Sequence, residues 1–518
     1  MAPDEPRKAF YGRVRIGGDG RVEWVKARRH PPSDGTTHLD VGDSFVYPGL
    51  VDLHSHLGFA GLPLWREPRR QVPWLHRDLW PGAESYKRSV SWPTYAYLKG
   101  APEALLAYAQ VRALAGGTTA IQGWPPANRS PVNKLIRNVD DDFDASVVRT
   151  SVVNLGPAEL MDRGRRMDEG STLIYHLAEG QRDSIAAREF DDAARARCLR
   201  HRLIAIHCTA VDEPEFEQWQ QLADVDDRAV PGGIVWSPFS NLWLYGQTTK
   251  VEAALRHGVA VCIGSDWAPS GSKNLLGELK VAKLWAEAAG LEVDDHDLVS
   301  MVTAIPGDLL GRAWGSAAPG RLVPGGLGDL VVVARRRVDP WANLVQAREQ
   351  DVELVVVDGR PVYGTRGLMR AAGVVATTAV GIGRERRHVT LRDPAALSRT
   401  WTWSRVCADL ARVAANPHAA IRRAHEALAS APGPLSSAPP TAAGRGPGAS
   451  AGGVGPLVLE SDMPGGPHAV AGPPPPGAVF TMKPPPSLVH DATWHRSIPE
   501  DGFDGGLLPR LAEFYKGD

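Results

Sequence analysis

The chain has 518 residues, of which 58 are basic and 59 acidic, so its formal net charge is −1. A charge this close to balance gives no electrostatic basis for binding nucleic acid or an anionic membrane, and we expect neither as a partner. No run approaches the roughly 18 apolar residues that cross a bilayer, and the N-terminus lacks the apolar core of a secretory signal. Four scattered cysteines without CxxC spacing indicate reduced thiols. We therefore expect a cytoplasmic globular protein.

The two flanks of the chain's first 370 residues contain short β-like runs. Near the N-terminus, alternating residues on both sides of a Gly-Gly-Asp-Gly turn predict a hairpin within residues 1–47. Similar runs return at 329–334 and 353–363 within the region 318–368. These flanking segments are predicted to pair into one small sheet domain.

Between the flanks, residues 48–317 alternate short apolar runs with longer helical patterns. The helical stretch 102–115, followed by Gly-Gly-Thr-Thr-Ala-Ile, is one example. Repeated alternation of strand and helix predicts a parallel β/α architecture.

The last 150 residues differ from the rest of the chain in composition and sequence pattern. Residues 369–430 are predicted to form a helical extension, with Trp401, Trp403 and Val406 as apolar contacts. Residues 431–518 are predicted to be a Pro/Gly-rich linker and C-terminal tail. The final stretch, 487–515, recovers apolar residues and is expected to dock back on the body.

The candidate chemistry lies in the middle region, where four apolar runs each end in a possible metal ligand. The ligands that end these runs are His54 with His56, His176, His207 and Asp266. In a parallel β/α barrel the carboxyl ends of the strands converge on one face. Because side chains alternate along a strand, two histidines two apart face the same way. Imidazoles with a carboxylate suit Zn²⁺ or Fe²⁺.

Each of these residues also has an ordinary structural interpretation. A single histidine at a strand end is more often a hydrogen-bonded structural residue, and a single aspartate before a loop is usually a helix cap. Coincidence is a poor explanation when a His-x-His pair, two further histidines and an aspartate all end strand-like runs in one region.

These residues carry a resemblance to a known family. The run Pro-Gly-Leu-Val-Asp-Leu-His-Ser-His, ending at His56, resembles the first-strand signature of the amidohydrolase superfamily. The whole set resembles its cytosine deaminase and atrazine chlorohydrolase branch, which adds a His-x-x-Glu, matched here by His176 and Glu179. The resemblance covers about residues 9–365 and implies an α/β fold, a (β/α)8 TIM barrel with a small β-sandwich built from both flanks. The irregular C-terminal extension lies outside the family pattern.

The resemblance also implies roles for the site residues. His54, His56, His176 and Asp266 would hold one divalent metal ion, Zn²⁺ or Fe²⁺, which lowers the pKa of water toward neutrality. Two-metal members use a carboxylated lysine on the fourth strand, and the candidate strand at 146–154 has no lysine. Glu179 would be the proton shuttle, and His207 would hydrogen-bond the attacking water or the oxyanion. Asp266 would also orient the water.

The substrate is open at this level. A long, tryptophan-rich loop follows the His-x-His pair, and loops at this face shape specificity. The candidate substrate contacts are Trp65, Arg66, Gln122, Trp243 and Trp267. For most of the tryptophans, packing of the loop against the barrel is the competing interpretation.

Three functions compete at this point. The first is a mononuclear metal-dependent hydrolase of amidohydrolase or deaminase type, which attacks a C–N bond of a small organic molecule, with cyclic and aromatic molecules among the candidates. The second is a deaminase specific for a heterocyclic amine, and the third is a catalytically silent barrel used for binding. The complete ligand set together with Glu179 argues against the third. A homo-oligomer is expected only because similar proteins form one.

Overall fold

The computed structural model describes residues 9–27, 37–125, 133–142, 155–224, 230–314, 318–429 and 473–516. The predicted fourth strand, 146–154, lies outside these ranges, so its missing lysine remains a sequence observation. In the described residues, no helix is both long and apolar enough to cross a membrane.

The strands are short, as expected for an α/β protein. In chain order they are β1 (Gly12–Ile16), β2 (Val22–Ala27), β3 (Phe45–Pro48), β4 (Leu50–Asp52), β5 (Thr118–Ile121), β6 (Arg137–Asn138), β7 (Leu173–Leu177), β8 (Leu203–His207), β9 (Gly233–Trp236), β10 (Ala260–Ile263), β11 (Leu330–Val333), β12 (Val352–Val357), β13 (Arg360–Gly364), β14 (Thr378–Ile382), β15 (Glu385–Val389), β16 (Arg392–Asp393) and β17 (Ala396–Thr400).

Helices separate most of the middle strands. In chain order they are α1 (Glu84–Tyr86), α2 (Trp92–Gly100), α3 (Pro102–Ala115), α4 (Val139–Asp142), α5 (Pro157–Asp168), α6 (Arg188–Arg195), α7 (Glu213–Asp224), α8 (Pro238–Tyr245), α9 (Val251–Arg256), α10 (Leu275–Ala289), α11 (Asp295–Ser300), α12 (Ala304–Trp314), α13 (Pro340–Gln346), α14 (Arg366–Ala371), α15 (Trp403–Ala415), α16 (Pro417–Ala429) and α17 (Ala492–Arg496).

The middle strands form two parallel sheets whose ends meet. One sheet has the order β4-β5-β6 and the other the order β10-β9-β8-β7. An isolated parallel bridge between Ser55 and Asp266 joins the strand ends of the two sheets. All residues of β7 and β8 are buried, as expected for parallel strands covered on both faces. The order of the strands therefore brings the predicted ligands of β4, β7, β8 and β10 to one side.

The flanking β segments partly follow the prediction. A six-stranded antiparallel sheet has the order β14-β15-β13-β12-β11-β3, so the N-terminal flank contributes β3 to strands that follow the middle region. The predicted hairpin is present as β1 and β2, but it forms a separate two-stranded sheet.

The predicted helical extension, 369–430, begins differently. After α14 the chain forms β14 to β17, and only then α15 and α16. Residues of β14 alternate between buried and exposed, which is a strand period of two. The prediction missed these strands because they lack the continuous apolar runs of the middle strands. Adding two of them to the sheet places its boundary beyond residue 368.

The C-terminal segment, defined here as residues 473–516, packs against the body. It contains α17 and a 3₁₀ stretch, Leu508–Tyr515. Its apolar side chains are buried, with Leu508 at 0% and Leu511 at 1% exposure. The expectation that 487–515 docks on the body therefore matches this packing, whereas residues 430–472 of the predicted linker lie outside the described part of the chain.

Candidate active site

The predicted ligands lie together at the carboxyl ends of parallel strands. His54 and His56 follow β4, His176 lies in β7 and His207 ends β8. Asp266 follows β10, and its backbone N–H donates a hydrogen bond to the His54 carbonyl at 2.8 Å. The backbone pairing between the ends of β4 and β10 thus sets the carboxylate beside the His-x-His pair.

Two overlapping groups of these side chains have the spacing of a cation site. One consists of His54, His56 and His176, and the other of His54, His207 and Asp266; within each group the ligand atoms lie within 4.8 Å of one another. The Nε2 of His54 lies 3.0 Å from Asp266 Oδ1, and the Nε2 of His56 lies 3.7 Å from the same oxygen. This donor set matches a divalent transition metal.

The protonation of the histidines fits a metal as well. Both ring nitrogens of His176 are buried, and neither finds a hydrogen-bond partner among the described residues. Burial, reinforced by the neighbouring histidines, lowers the pKa of His176 well below its ordinary value, and burial with His54 lowers the pKa of His56 to about 4. Neutral imidazoles are the form that binds a metal ion. A buried imidazole without a partner is costly, and a bound cation would remove that cost.

Glu179 lies beside this group, with different surroundings for its two oxygens. Its Oε1 accepts a hydrogen bond from the Tyr245 hydroxyl at 2.6 Å, whereas Oε2 is buried and lies 3.7 Å from His207 Nε2. Burial raises the pKa of Glu179 to about 7, although buried Arg77 and the Tyr245 hydroxyl oppose the rise. A carboxyl group that titrates near neutrality can both take up and release a proton.

Tyr245 and Arg77 were not singled out from the sequence. The Trp80 indole N–H donates to the Tyr245 hydroxyl at 3.3 Å, so the phenol proton is directed to Glu179. Arg77 forms a bidentate pair with Glu189, which also accepts the Ala178 N–H. Tyr245 was given no role from the sequence, because α8 brings it to Glu179 only in the folded chain.

A chain of hydrogen bonds sets the orientation of His207. The Trp236 indole donates to Thr248, the Thr248 hydroxyl donates to the Asn241 carbonyl oxygen at 3.2 Å, and the Asn241 amide lies 2.9 Å from His207 Nδ1. Because the Asn241 amide group then faces Nδ1 as a donor, Nδ1 accepts and the proton is on Nε2. The Nε2–H of His207 therefore points toward Glu179 and Asp266 as a donor.

The backbone is unusual where the site residues emerge. His207 and Asp266 have φ values of 69° and 55°, in the left-handed region that non-glycine residues rarely adopt. Such a residue costs on the order of 1–3 kcal/mol and needs support from its surroundings. The Thr249 hydroxyl supports His207 by donating to its carbonyl at 2.5 Å. Residue 264 also has to be a glycine, because a Cβ at this position would lie 2.7 Å from His54 Cβ.

Asp52 is a further residue that was not singled out from the sequence. Its buried carboxylate accepts hydrogen bonds from the Ser265 hydroxyl at 2.5 Å, the Ser265 N–H and the His54 N–H. It therefore ties the end of β4 to the residue before Asp266. Its place inside the conspicuous Pro-Gly-Leu-Val-Asp-Leu-His run was the available signal.

Three of the predicted substrate contacts are tryptophans within a buried aromatic layer. Each indole N–H has a protein acceptor: Trp65 donates to Ser85, Trp243 to the Trp65 carbonyl and Trp267 to Ser270. Trp267 packs against Phe59 with ring centroids 5.3 Å apart. The competing interpretation, that these rings pack the loop against the barrel, accounts for the observed contacts, and a role in substrate binding stays a prediction.

The two polar candidates are engaged by other residues. Arg66 pairs with Asp501 of the C-terminal segment at 3.0 Å. The Gln122 side-chain amide donates to Asp140 at 3.1 Å. Direct contact of either with substrate stays a prediction.

Parts of this chain are similar to known proteins. A model of the amidohydrolase family matches residues 167–362. The chain is 26% identical over 404 residues to the 5-methylthioadenosine/S-adenosylhomocysteine deaminase of Symbiobacterium thermophilum, covering 64% of this chain and 85% of that protein. It is 23% identical over 377 residues to the 5'-deoxyadenosine deaminase of Methanothermobacter thermautotrophicus, covering 64% and 84%.

A solved structure shares the fold. An adenosine deaminase from Xanthomonas campestris with bound zinc aligns with a TM-score of 0.50 at 18% identity, covering 70% of this chain and 92% of that one. The fold is therefore α/β of the TIM-barrel type. The family match and the deaminase relatives support the resemblance to the amidohydrolase superfamily, and they indicate a hydrolase of carbon–nitrogen bonds other than peptide bonds.

Proposed function

We propose that this chain is a mononuclear metal-dependent deaminase that replaces the amino group of a small heterocyclic amine by oxygen and releases ammonia. The observation that carries the proposal is Glu179. It is a buried carboxyl group, hydrogen-bonded at one oxygen and facing His207 with the other, beside a group of three histidines. The named deaminase activity of the relatives supports a heterocyclic amine of the adenosine type as substrate.

The metal site in this proposal consists of His54, His56, His176 and Asp266. A divalent ion such as Zn²⁺, when bound, supplies Lewis acidity that lowers the pKa of water toward neutrality. Asp266 accepts a hydrogen bond from the nucleophilic water and so orients it.

The protein residues complete the reaction by moving protons. Glu179 takes a proton from the attacking water and delivers it to the leaving amino group, so that water and the amine become a carbonyl compound and ammonia. The Nε2–H of His207 donates to the oxygen that develops negative charge. Tyr245 fixes the Glu179 carboxylate while the proton is transferred.

The proposal extends to the architecture. We infer an eight-stranded barrel, with a β-sandwich assembled from both flanks. The parallel order of the described strands and the pairing of β3 with β11 support this arrangement.

Ammonia release tests the proposed reaction. The zinc-loaded protein is incubated with 5′-methylthioadenosine, S-adenosylhomocysteine, 5′-deoxyadenosine and adenosine, and both ammonia and the change in base absorbance are measured. We expect ammonia in equal amount to the deaminated base from at least one of them. If these amines are inert while amides or cyclic amides yield carboxylic acids, the broader C–N hydrolase function holds and the deaminase proposal fails.

A further inference from the structure

The C-terminal segment is anchored to the body at a buried polar centre. The Lys273 backbone N–H donates to His490 Nε2 at 2.9 Å, and His490 Nδ1 lies 2.5 Å from Glu349 Oε1. Because a backbone N–H can only donate, Nε2 accepts, and the proton on Nδ1 is donated to Glu349. The two hydrogen bonds and the 3% exposure of His490 make the anchor a specific, buried contact.

Beyond His490, the C-terminal segment contacts α8. Trp494, only 7% exposed, packs against Phe239 at the start of α8 with ring centroids 5.5 Å apart. Phe239 in turn stacks on Trp243 of the same helix at 5.6 Å. The N-terminal half of α8 is therefore covered by an aromatic side chain that comes from the C-terminal segment.

The segment also covers the other end of α8. The helix ends at Gly246, whose φ is 64°, and a Cβ built there would lie 3.1 Å from the Phe503 carbonyl oxygen and 3.0 Å from Pro73. Phe503 thus packs on the end of α8 and on the first βα loop (53–83) together. Arg66 of that loop pairs with Asp501 and lies 5.5 Å from the Phe503 ring centroid.

The helix covered in this way carries Asn241 and Tyr245, which contact His207 and Glu179. Asn241 sets the tautomer of His207, and Tyr245 donates to Glu179 at 2.6 Å. A displacement of α8 by 1 Å would lengthen both hydrogen bonds beyond a useful distance. Trp494 and Phe503 contact opposite ends of this short helix, so together they restrain both of its ends.

We propose that the C-terminal segment is a positioning element of the active site, in which Trp494 and Phe503 hold α8, and with it Tyr245 and Asn241, against Glu179 and His207. Its catalytic consequence rests on the proposed function, in which Glu179 moves the proton. The mechanical part, that the segment orders α8 and the first βα loop, does not depend on any substrate.

Hydrogen–deuterium exchange of the full, zinc-loaded chain tests the mechanical part. Trp494→Ala is compared with Phe480→Ala, a matched control in the same segment, since Phe480 is also 7% exposed but packs on Trp92 and His418. We expect amides of 238–246 to exchange at least about tenfold faster in Trp494→Ala. The control should leave α8 as protected as in the parent chain, and Trp494→Phe should restore protection.

Unchanged α8 exchange in Trp494→Ala, or equal loss of protection in Phe480→Ala, would overturn the proposal. Should Trp494→Ala fail to fold, Asp501→Asn replaces it, because Asp501 is exposed and its change removes only the pair with Arg66. Asp308→Asn, which breaks the exposed pair with Arg321, is its control. Faster exchange confined to 53–83 in Asp501→Asn is expected, and no difference from the control contradicts the proposal.

Turnover of an adenosine-type amine then tests the catalytic consequence. At equal folded fraction and metal content, Trp494→Ala should lower kcat about tenfold or more with a smaller change in KM, whereas Phe480→Ala should not. An inactive parent chain counts against the proposed function and leaves the exchange result standing. Normal kcat in a Trp494→Ala protein whose α8 is deprotected would remove the catalytic consequence.

Discussion

In the proposed function the chemistry depends on Glu179, a buried carboxyl group that faces His207. Glu179→Gln keeps the shape and the hydrogen bond from Tyr245 but cannot carry the proton. We expect the variant to bind the same amount of metal and to lose about 10²–10⁴-fold in kcat. Elemental analysis and ammonia release on the same sample measure both quantities. Near-normal turnover would remove Glu179 from the mechanism.

Tyr245 is one of several groups that act on the pKa of Glu179. Its hydroxyl hydrogen-bonds the carboxylate and so lowers the Glu179 pKa against the rise caused by burial. Tyr245→Phe removes this bond, so the Glu179 pKa rises and more of the carboxyl group is protonated at a given pH. A hydrogen bond to a charged group is worth about 1.5–3 kcal/mol, so the acidic limb of the kcat/KM profile should move up by about one to two pH units.

The control for this shift is Tyr175→Phe, which also removes a buried tyrosine hydroxyl. Tyr175 lies in β7, and its hydroxyl accepts a hydrogen bond from the Leu155 N–H. An unmoved acidic limb in Tyr245→Phe, or an equal shift in the control, would show that Tyr245 does not tune Glu179.

At the residue scale, sequence predicted the groups whose type and spacing are diagnostic. The period of two in a strand explains why His54 and His56 could be assigned together. Tyr245 and Asn241 could not, because their roles arise from the direction in which α8 leaves β9. Arg66 and Gln122 were predicted as substrate contacts because they are polar and lie near the motifs. Their side chains bind Asp501 and Asp140, and contact with substrate stays a prediction.

At the scale of elements, the anchor between the C-terminal segment and α10 depends on a neutral His490. Burial lowers the His490 pKa, and the charged or titratable groups that face it are Glu349, Lys273, Lys280 and His495. In the unfolded chain the histidine pKa is about 6.5. As the pH falls, the unfolded chain therefore binds this proton before the folded chain does. The free energy of unfolding consequently decreases as the pH falls below about 6.5.

His490→Gln tests this linkage, since the amide oxygen still accepts the Lys273 N–H but does not titrate. Denaturant unfolding of both proteins between pH 5 and pH 7.5 should show a weaker pH dependence in the variant. Equal slopes in the two proteins would show that His490 does not carry the effect.

Strands and helices could be predicted where the sequence has a continuous apolar run or a clear helical pattern. The apolar runs that end in ligands correspond to β4, β7, β8 and β10, and α3 follows its helical pattern. The strands β14 to β17 were predicted as part of a helical extension, because they lack the continuous apolar runs of the middle strands. Their sheet partners, such as β13 beside β15, are distant in sequence.

At the scale of the whole molecule, metal binding should stabilise the fold. The site places several neutral imidazoles in a buried cluster, and a ligand that binds only the folded chain stabilises it by mass action. At a zinc concentration of about 100 times Kd the gain is about 2.7 kcal/mol. Thermal unfolding of the metal-free chain with and without zinc measures it. His176→Ala should show little zinc-dependent rise in Tm, and a rise equal to that of the parent chain would place the metal elsewhere.

The whole molecule also shows why the C-terminal segment could be foreseen only in outline. Its apolar residues indicated docking, but the partner surface is formed by α8, α10 and the first βα loop, which come together only in the folded chain. The family pattern gave no guide, because it ends near residue 365.

The most direct test of the central claim is a metal titration of ammonia release. Metal-free protein and its Glu179→Gln variant receive increasing Zn²⁺ or Fe²⁺ in the presence of an adenosine-type amine, and ammonia is measured at each step. The account predicts that activity of the parent chain rises and saturates at about one ion per chain, while the variant binds the same amount without turnover. Absence of metal binding, or ammonia release that is equal with and without metal, would contradict it.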